Sequence, residues 1–115
     1  MGSVISQISR ASAVDMASAQ ASFVQNTLKQ HKVVIFSKSS CPYCTMAKDQ
    51  FKKLSVPYHV VELDQRNDCS EIQDVLGEMT GARTVPRCFI DGTFIGGGTD
   101  VKKMYETGAL QKYFS

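Results

Sequence analysis

The spacing of apolar residues along the chain alternates between extended and helical patterns. Residues 32–37 form a mostly apolar, β-branched run, which is typical of a strand covered on both faces. The next apolar positions lie at helical spacing and form one stripe: Cys44, Ala47, Phe51 and Leu54. Pro57 ends this pattern, and residues 58–63 indicate a second strand. The first half of the chain therefore predicts a strand, a helix and a strand.

The second half of the chain continues the alternation. A helical stripe stops at Gly81, a residue type that is common just beyond a helix, and its members are Ile72, Val75, Leu76 and Met79. Residues 87–90 and 93–95 are short apolar runs joined by Asp91-Gly92, a dipeptide typical of a tight hairpin. A last helical stripe ends at Gly108. These patterns predict a helix, a hairpin and a final helix.

Polar residues indicate where the helices begin. Asp15 is the expected N-cap of a first helix, whose apolar face is Met16, Phe23, Val24 and Leu28. Ser70 and Gln73 have the three-residue spacing of a capping box. Thr99 and Asp100 are expected to cap the last helix.

The predicted order is helix, β, α, β, α, β, β, α. A βαβ unit gives parallel strands, whereas a tight hairpin gives antiparallel ones. The sequence therefore predicts an α/β fold with a mixed four-stranded sheet flanked by helices on both faces. We expect this domain to span residues 15–115, and residues 1–14 to form a flexible N-terminal arm.

Length and composition fit one ordinary globular domain. The chain has 115 residues, of which 43% are hydrophobic and 21% charged, so disorder and coiled coil are not expected. The longest apolar stretch, residues 33–36, is far below the ~20 residues of a spanning helix. The net charge of +2 is too small to indicate a nucleic-acid-binding surface.

The first 28 residues are serine-rich and carry only Arg10 and Asp15 as charged groups. The first apolar run is broken by Gln7 and Ser9, so no secretory signal is expected. A single arginine makes a poor mitochondrial presequence, and we expect a cytoplasmic protein, with a mitochondrial location left open. Gly2 fits the Met-Gly-x-x-x-Ser pattern of N-myristoylation, and membrane contact is expected only if Gly2 is acylated.

The chemistry of the chain is expected at residues 41–44, Cys-Pro-Tyr-Cys, where a buried strand is followed by a helix. Pro42 suits the first helical turn, which places the Cys41 sulfur beside unpaired backbone N–H groups at the positive end of the helix dipole. Lys38 adds a second positive charge. A thiolate is favoured in such a position, so we expect Cys41 to be the nucleophile.

Cys44 begins the apolar stripe, so its sulfur should face the core. Residues three apart on a helix are neighbours, and a disulfide between Cys41 and Cys44 is within reach. An exposed thiolate beside a sheltered thiol suits a two-step thiol–disulfide exchange, in which Cys44 resolves the mixed disulfide formed on Cys41.

Two other roles for the cysteine pair are open. A zinc site normally requires four ligands, and the remaining candidates are scattered: His31, His59, Cys69 and Cys88. A structural disulfide across three residues removes little loop entropy. Redox exchange is therefore favoured, with Cys88 as a small core residue and Cys69 as a loop thiol that could be glutathionylated if exposed.

Two further segments are candidate binding elements. Residues 84–86, Thr-Val-Pro, place a proline at the entry of a strand, where it cannot donate to the ladder. Residues 96–100, Gly-Gly-Gly-Thr-Asp, combine glycines that let the backbone approach a ligand with a helix start that offers N–H groups to an anion. Each segment alone also fits a plain strand entry or turn.

Taken together, the Lys-Ser-Ser-Cys-Pro-Tyr-Cys, Thr-Val-Pro and Gly-Gly-Gly-Thr-Asp segments, in that order, resemble the glutaredoxin family over residues 19–114. The resemblance implies a thioredoxin-like fold and an enzyme that reduces disulfides, especially protein–glutathione mixed disulfides, with glutathione as the electron donor. It implies that Cys41 becomes glutathionylated and that Cys44 is the thiol that resolves a mixed disulfide on Cys41.

The resemblance also implies a set of glutathione-binding residues. Lys38 and Gln73 would face the glycine carboxylate of glutathione. Val85, followed in this family by a cis proline, would pair its backbone with the cysteinyl part, and Thr99 and Asp100 would hold the γ-glutamyl end. The expected groove walls are Tyr43, Arg83 and Thr84.

Other members of this family bind a [2Fe-2S] cluster between two chains through the nucleophilic cysteine and external glutathione, which leaves a cluster carrier or redox sensor as an alternative function. Pro42 disfavours it, because cluster-binding members usually have a less constraining residue there. A thioredoxin-like enzyme served by a flavoprotein reductase is a second alternative. We expect a monomer whose partners are glutathione and glutathionylated or disulfide-containing proteins, and no metal.

Overall fold

The computed structural model describes residues 14–115. The helices of this part are α1 (Ala19–Gln30), α2 (Pro42–Lys53), α3 (Cys69–Thr80) and α4 (Gly98–Thr107). The strands are β1 (Val33–Ser37), β2 (His59–Glu62), β3 (Arg87–Ile90) and β4 (Thr93–Gly96). Short 3-10 turns follow at Leu63–Gln65 and Leu110–Phe114. The predicted order of elements is confirmed.

The four strands form one mixed sheet in the order β2-β1-β3-β4. β1 and β2 are parallel, with Ser37 opposite Glu62 at their carboxyl ends. β1 and β3 are antiparallel, as are β3 and β4. Asp91 and Gly92 both have positive φ, 51° and 78°, which is the geometry of the tight hairpin turn predicted from this dipeptide.

Each face of the sheet is covered by two helices, as predicted. Side chains of β1 alternate between the two faces, so Val34 and Phe36 pack with α1 and α3, whereas Val33 and Ile35 pack with α2 and α4. All five residues of β1 are buried. The central strand β1 therefore contacts the helices on both faces of the sheet, and it ends at Ser37, shortly before Cys41.

The first helix begins later than the sequence predicts. Asp15 is not its N-cap: its carboxylate accepts a hydrogen bond from the Ala17 N–H at 2.8 Å, within a turn that precedes the helix. Ser18 is the N-cap, since its side chain accepts from the Ala21 N–H at 3.1 Å. Met16 consequently lies outside the helix and is exposed.

The predicted capping box at Ser70 and Gln73 is also wrong. Helix α3 begins at Cys69 after Asp68, so Ser70 lies inside its first turn. The Gln73 side chain instead donates to the Arg83 carbonyl oxygen at 2.8 Å. The helix does end at Gly81, whose φ of 92° is the left-handed conformation that favours glycine.

The described part of the chain begins at Val14, which packs partly buried against the cluster on the α1 and α3 face. The rest of the predicted arm, including Gly2, lies outside the described residues. Among residues 14–115, no helix combines the length and apolar character needed to cross a membrane.

Candidate active site

Cys41 occupies the N-cap position of α2, directly after the loop that follows β1. Its sulfur accepts a hydrogen bond from the Cys44 N–H at 3.2 Å, and Pro42 fills the first helical position, where no N–H is needed. The side chain is only partly buried. The sulfur therefore lies at the positive end of the helix dipole with access to solvent, as the sequence predicts.

Cys44 is fully buried on the inner side of the same turn. Burial and the neighbouring Cys41 sulfur raise the pKa of the Cys44 thiol to about 11, against weaker opposing effects of the Lys38 backbone and the Ser37 side chain. At neutral pH this thiol remains protonated. The two cysteines therefore differ in access to solvent, and only the Cys41 sulfur accepts the hydrogen bond at the start of the helix.

The Thr-Val-Pro segment lies against Cys41. The peptide bond between Val85 and Pro86 is cis, in agreement with the resemblance. The Val85 carbonyl oxygen lies 3.9 Å from the Cys41 sulfur, which donates to it in the thiol form. The exposed Thr84 hydroxyl accepts from the Arg87 guanidinium at 3.1 Å. The backbone of Val85 therefore forms one wall beside the Cys41 sulfur.

The glycine-rich segment lies against the other side of the Cys41 turn. A Cβ atom on Gly98 would lie 2.5 Å from the Tyr43 carbonyl oxygen, and one on Gly96 would lie 2.5 Å from the Asp100 Cβ. These two glycines thus permit close contacts inside the protein, and the approach of a ligand to this segment stays a prediction. Tyr43 itself is 55% exposed at the edge of the site.

The caps predicted for the last helix are corrected in part. Gly97 is the N-cap of α4, and Thr99 lies inside the first turn with its side chain exposed. Asp100 does cap the helix, because its carboxylate accepts the Gly97 N–H at 2.9 Å. The carboxylate is therefore fixed at the helix start.

Gln73 and Arg83, two further residues of the predicted binding groove, contact each other. Besides donating to the Arg83 carbonyl, the Gln73 carboxamide accepts from the Cys69 thiol at 3.4 Å. The Arg83 guanidinium pairs with Asp74 at 2.8 Å. These contacts fix the orientation of the Gln73 side chain at the end of the loop that leads to Val85.

Two residues that sequence reasoning did not select hold the loop before Cys41. The Asp64 carboxylate accepts from both the backbone N–H and the hydroxyl of Ser39, at 3.0 and 3.1 Å. Gln65 donates to the same hydroxyl at 3.1 Å. Their position directly after the second predicted strand could have indicated this, because carboxyl ends of parallel strands meet at one edge of a sheet.

Cys88 and the two histidines lie elsewhere. Cys88 is buried in β3, and this burial raises the pKa of its thiol to about 12. His31 and His59 stack face to face with ring centroids 3.9 Å apart. They line a cavity of about 740 Å³ at the opposite end of β1. Within residues 14–115, no three His, Cys, Asp or Glu side chains are grouped so as to hold a metal ion.

Comparison with known proteins agrees with this geometry. The glutaredoxin family model matches residues 33–95. Glutaredoxin-C8 of Oryza sativa subsp. japonica is 53% identical over 104 residues, covering 88% of this chain and 76% of the relative. Mitochondrial glutaredoxin-2 of Bos taurus is 48% identical over 109 residues, covering 95% and 69%.

Solved structures match as well. The crystal structure of a buckwheat glutaredoxin–glutathione complex superposes with a TM-score of 0.79 at 37% identity, covering 82% of this chain and 86% of that one. Oxidized glutaredoxin 2 from Chlamydomonas reinhardtii gives 0.78 at 41% identity, with 82% and 89% covered.

The fold and the cysteine pair define a thioredoxin-like thiol–disulfide oxidoreductase. The chain belongs to the glutaredoxin family, and it is a glutathione-dependent enzyme of the dithiol type.

Proposed function

We propose that the enzyme acts chiefly on protein–glutathione mixed disulfides, with Cys41 as the attacking residue. The observation that carries this proposal is the unequal pair: a partly exposed Cys41 sulfur that accepts a backbone N–H at 3.2 Å, in front of a buried Cys44 thiol. Only the first sulfur has both the access and the electrostatic support that attack requires.

The proposed reaction is a double exchange at Cys41. Its thiolate attacks the glutathione sulfur of the mixed disulfide, the substrate sulfur leaves as a thiolate, and that thiolate takes a proton. The thiolate of a second glutathione then attacks the glutathionyl sulfur on Cys41. Glutathione disulfide leaves, the Cys41 thiolate is regenerated, and two electrons have passed from glutathione to the substrate.

Reduction of a disulfide between two protein cysteines would need Cys44 as well. Attack by Cys41 leaves a mixed disulfide with the substrate, and Cys44 then attacks the Cys41 sulfur as its own proton passes to the departing thiolate. Because the pKa of Cys44 is raised to about 11, this thiol stays protonated and inert until Cys41 carries a substrate. Glutathione would afterwards reduce the Cys41–Cys44 disulfide.

We infer that the tripeptide lies across the site with its sulfur at Cys41. Lys38 and Gln73 would hold the glycine carboxylate, and none of the ion pairs within residues 14–115 involves the Lys38 ammonium. Val85 would pair with the cysteinyl backbone. Thr99 and Asp100 would hold the γ-glutamyl end.

Thr84 would form part of the groove wall in this arrangement, beside Arg83 and Tyr43. The buckwheat relative was solved as a complex with glutathione, which supports a shared site. The acidic and basic partners suit a ligand that carries two carboxylates and one amine.

We also propose that residues 15–115 form the catalytic domain and that the protein acts as a monomer. Its proposed substrates are glutathionylated proteins of the cytoplasm. Several relatives are named mitochondrial, so imaging of the full chain with a C-terminal fluorescent tag, against markers of both compartments, is the appropriate test. Fluorescence confined to mitochondria would contradict the cytoplasmic assignment.

The proposed function is tested with a glutathionylated model peptide, glutathione, and an assay that follows glutathione disulfide. We expect turnover that depends on glutathione and is lost in Cys41→Ser. Activity supported only by a flavoprotein thioredoxin reductase would contradict the proposal. A visible absorbance band after anaerobic purification, with no turnover, would favour the iron–sulfur alternative.

A further inference from the structure

The loop between β1 and α2 is held from one side by the 3-10 turn that follows β2. β1 and β2 end side by side, with Ser37 opposite Glu62. The chain after β1 forms the loop of residues 38–40, and the chain after β2 forms the turn Leu63–Gln65. The two segments therefore leave the sheet at the same edge.

Ser39 is the point of attachment between these two segments. One oxygen of the Asp64 carboxylate accepts its backbone N–H at 3.0 Å and its hydroxyl at 3.1 Å. The Gln65 side chain donates to the same hydroxyl at 3.1 Å. Hydrogen bonds to an ionised group are stronger than those between neutral groups, so Asp64 makes the principal contact.

Fixing Ser39 also fixes its neighbours. The Cys41 N–H donates to the Lys38 carbonyl oxygen at 3.2 Å, which closes a tight turn over residues 38–41. Lys38 and Cys41 are the two ends of that turn, and Ser39 lies inside it. A movement of Ser39 would therefore change the separation between the Lys38 ammonium and the Cys41 sulfur.

The Asp64 carboxylate remains ionised over the working pH range. The Ser39 N–H is the main cause that lowers the pKa of this exposed carboxyl, and the positive charge of Lys38 acts in the same direction. Asp64 therefore interacts electrostatically with the Lys38 ammonium, while its hydrogen bonds are made to Ser39.

We propose that Asp64 is a positioning residue: through Ser39 it fixes the turn that carries Lys38 and Cys41, and so aligns the glutathione moiety with the attacking sulfur. This inference rests on the proposed function, since it assigns Lys38 to the bound tripeptide. The side-chain hydrogen bonds of Asp64 are made to Ser39 and not to the Cys41 sulfur. The effect of Asp64 should therefore appear in substrate binding more than in the chemical step.

The test compares Asp64→Ala with Asp64→Asn in the full chain, using the glutathionylated peptide. Alanine removes both hydrogen bonds to Ser39, and we expect KM to rise about tenfold while kcat changes by less than about threefold. Asparagine keeps an acceptor oxygen without the charge, so KM should stay within about threefold of the wild-type value. Glu106→Ala removes an exposed carboxylate on α4 as the matched control.

A wild-type KM in Asp64→Ala would overturn the inference, as would an equal rise in the alanine and asparagine variants. If Asp64→Ala does not fold by circular dichroism, Ser39→Ala replaces it, because it removes only the hydroxyl contacts. Its KM should rise about two- to threefold, and an unchanged KM would contradict the proposal. Lack of turnover by the wild-type enzyme would instead refute the proposed function itself.

Discussion

The backbone N–H of Cys44 donates a 3.2 Å hydrogen bond to the sulfur of Cys41, so one active cysteine caps the helical turn that contains the other. Helices leave their first N–H groups without intrahelical partners, and here one of them is directed at a sulfur. The same turn buries Cys44 completely. Two thiols only three positions apart in the sequence therefore have opposite environments, one partly exposed and the other buried.

The first prediction concerns the loss of either thiol. Cys41→Ser should lower the reduction of a glutathionylated peptide to the uncatalysed rate, because the other cysteine of the pair is buried. Cys44→Ser should retain that activity within about threefold, since the single-cysteine route does not use Cys44. Reduction of an intramolecular protein disulfide should be lost in both variants.

Steady-state rates with the two substrates check this prediction, and Cys88→Ala is the matched control because it removes a buried thiol of β3 outside the pair. Equal deglutathionylation by the Cys41 and Cys44 variants would contradict the asymmetry.

The second prediction concerns alkylation. With a pKa of about 11, only about one Cys44 side chain in a thousand is ionised at pH 8, and burial restricts access further. Iodoacetamide at pH 8 should therefore modify Cys41 at least about a hundredfold faster than Cys44. Peptide mass spectrometry over a time course measures both rates, and unfolded protein provides the reference rate. Labelling of Cys44 in the folded protein at that reference rate would exclude the buried, protonated thiol.

The third prediction compares two neighbouring glycines. A methyl group on Gly98 would approach the Tyr43 carbonyl oxygen to 2.5 Å, whereas one on Gly97 would have its nearest contact at 3.6 Å, with the Pro86 carbonyl oxygen. Gly98→Ala should therefore lower the free energy of unfolding by about 3 kcal/mol. It should also lower activity, because α4 is pushed from the turn that carries Cys41.

Gly97→Ala is the control for this comparison and should cost less than about 1 kcal/mol, the usual loss for alanine at an N-cap. Urea denaturation of the two variants and the wild type measures the difference. Similar stability of both variants would show that the packing between Gly98 and Tyr43 is not tight.

The spacing of apolar residues predicted the helices and strands well, because the side chains of each element that face the core must be apolar. The run at residues 32–37 is short, β-branched and mostly apolar, as expected of a strand covered on both faces, and β1 is buried throughout. The unequal surroundings of Cys41 and Cys44 were likewise predictable, because their places at the start of the helix put Cys41 at the N-cap and Cys44 in the buried stripe.

The hydrogen bonds of polar side chains were harder to predict, because several side chains can accept from the same backbone N–H groups. Asp15 and Ser18 are both good N-caps, and Ser18 takes the role because Asp15 bonds within the preceding turn. Gln73 bonds to a distant carbonyl rather than to its own helix end. The contact between Asp64 and Ser39 joins residues 25 apart; it follows from the register of β1 and β2, which local spacing does not contain.

The last prediction concerns stability in acid. His59 stacks on His31, and burial together with the nearby His31 charge lowers the pKa of His59 below its ordinary value of 6.5. The unfolded chain therefore binds a proton at His59 more readily than the folded protein does. This contribution to stability is complete above about pH 6.5 and is lost as the pH falls through the lower folded pKa.

His59→Gln removes the titrating group, so the decline in the free energy of unfolding from pH 8 to pH 5 should be smaller than in the wild type. His31→Gln should lie between the two, because it removes the neighbouring charge and one stacked ring, whereas the rest of the protein still buries His59. Urea denaturation at several pH values measures all three proteins. Parallel pH profiles for the wild type and His59→Gln would mean that the stacked pair does not contribute to acid sensitivity.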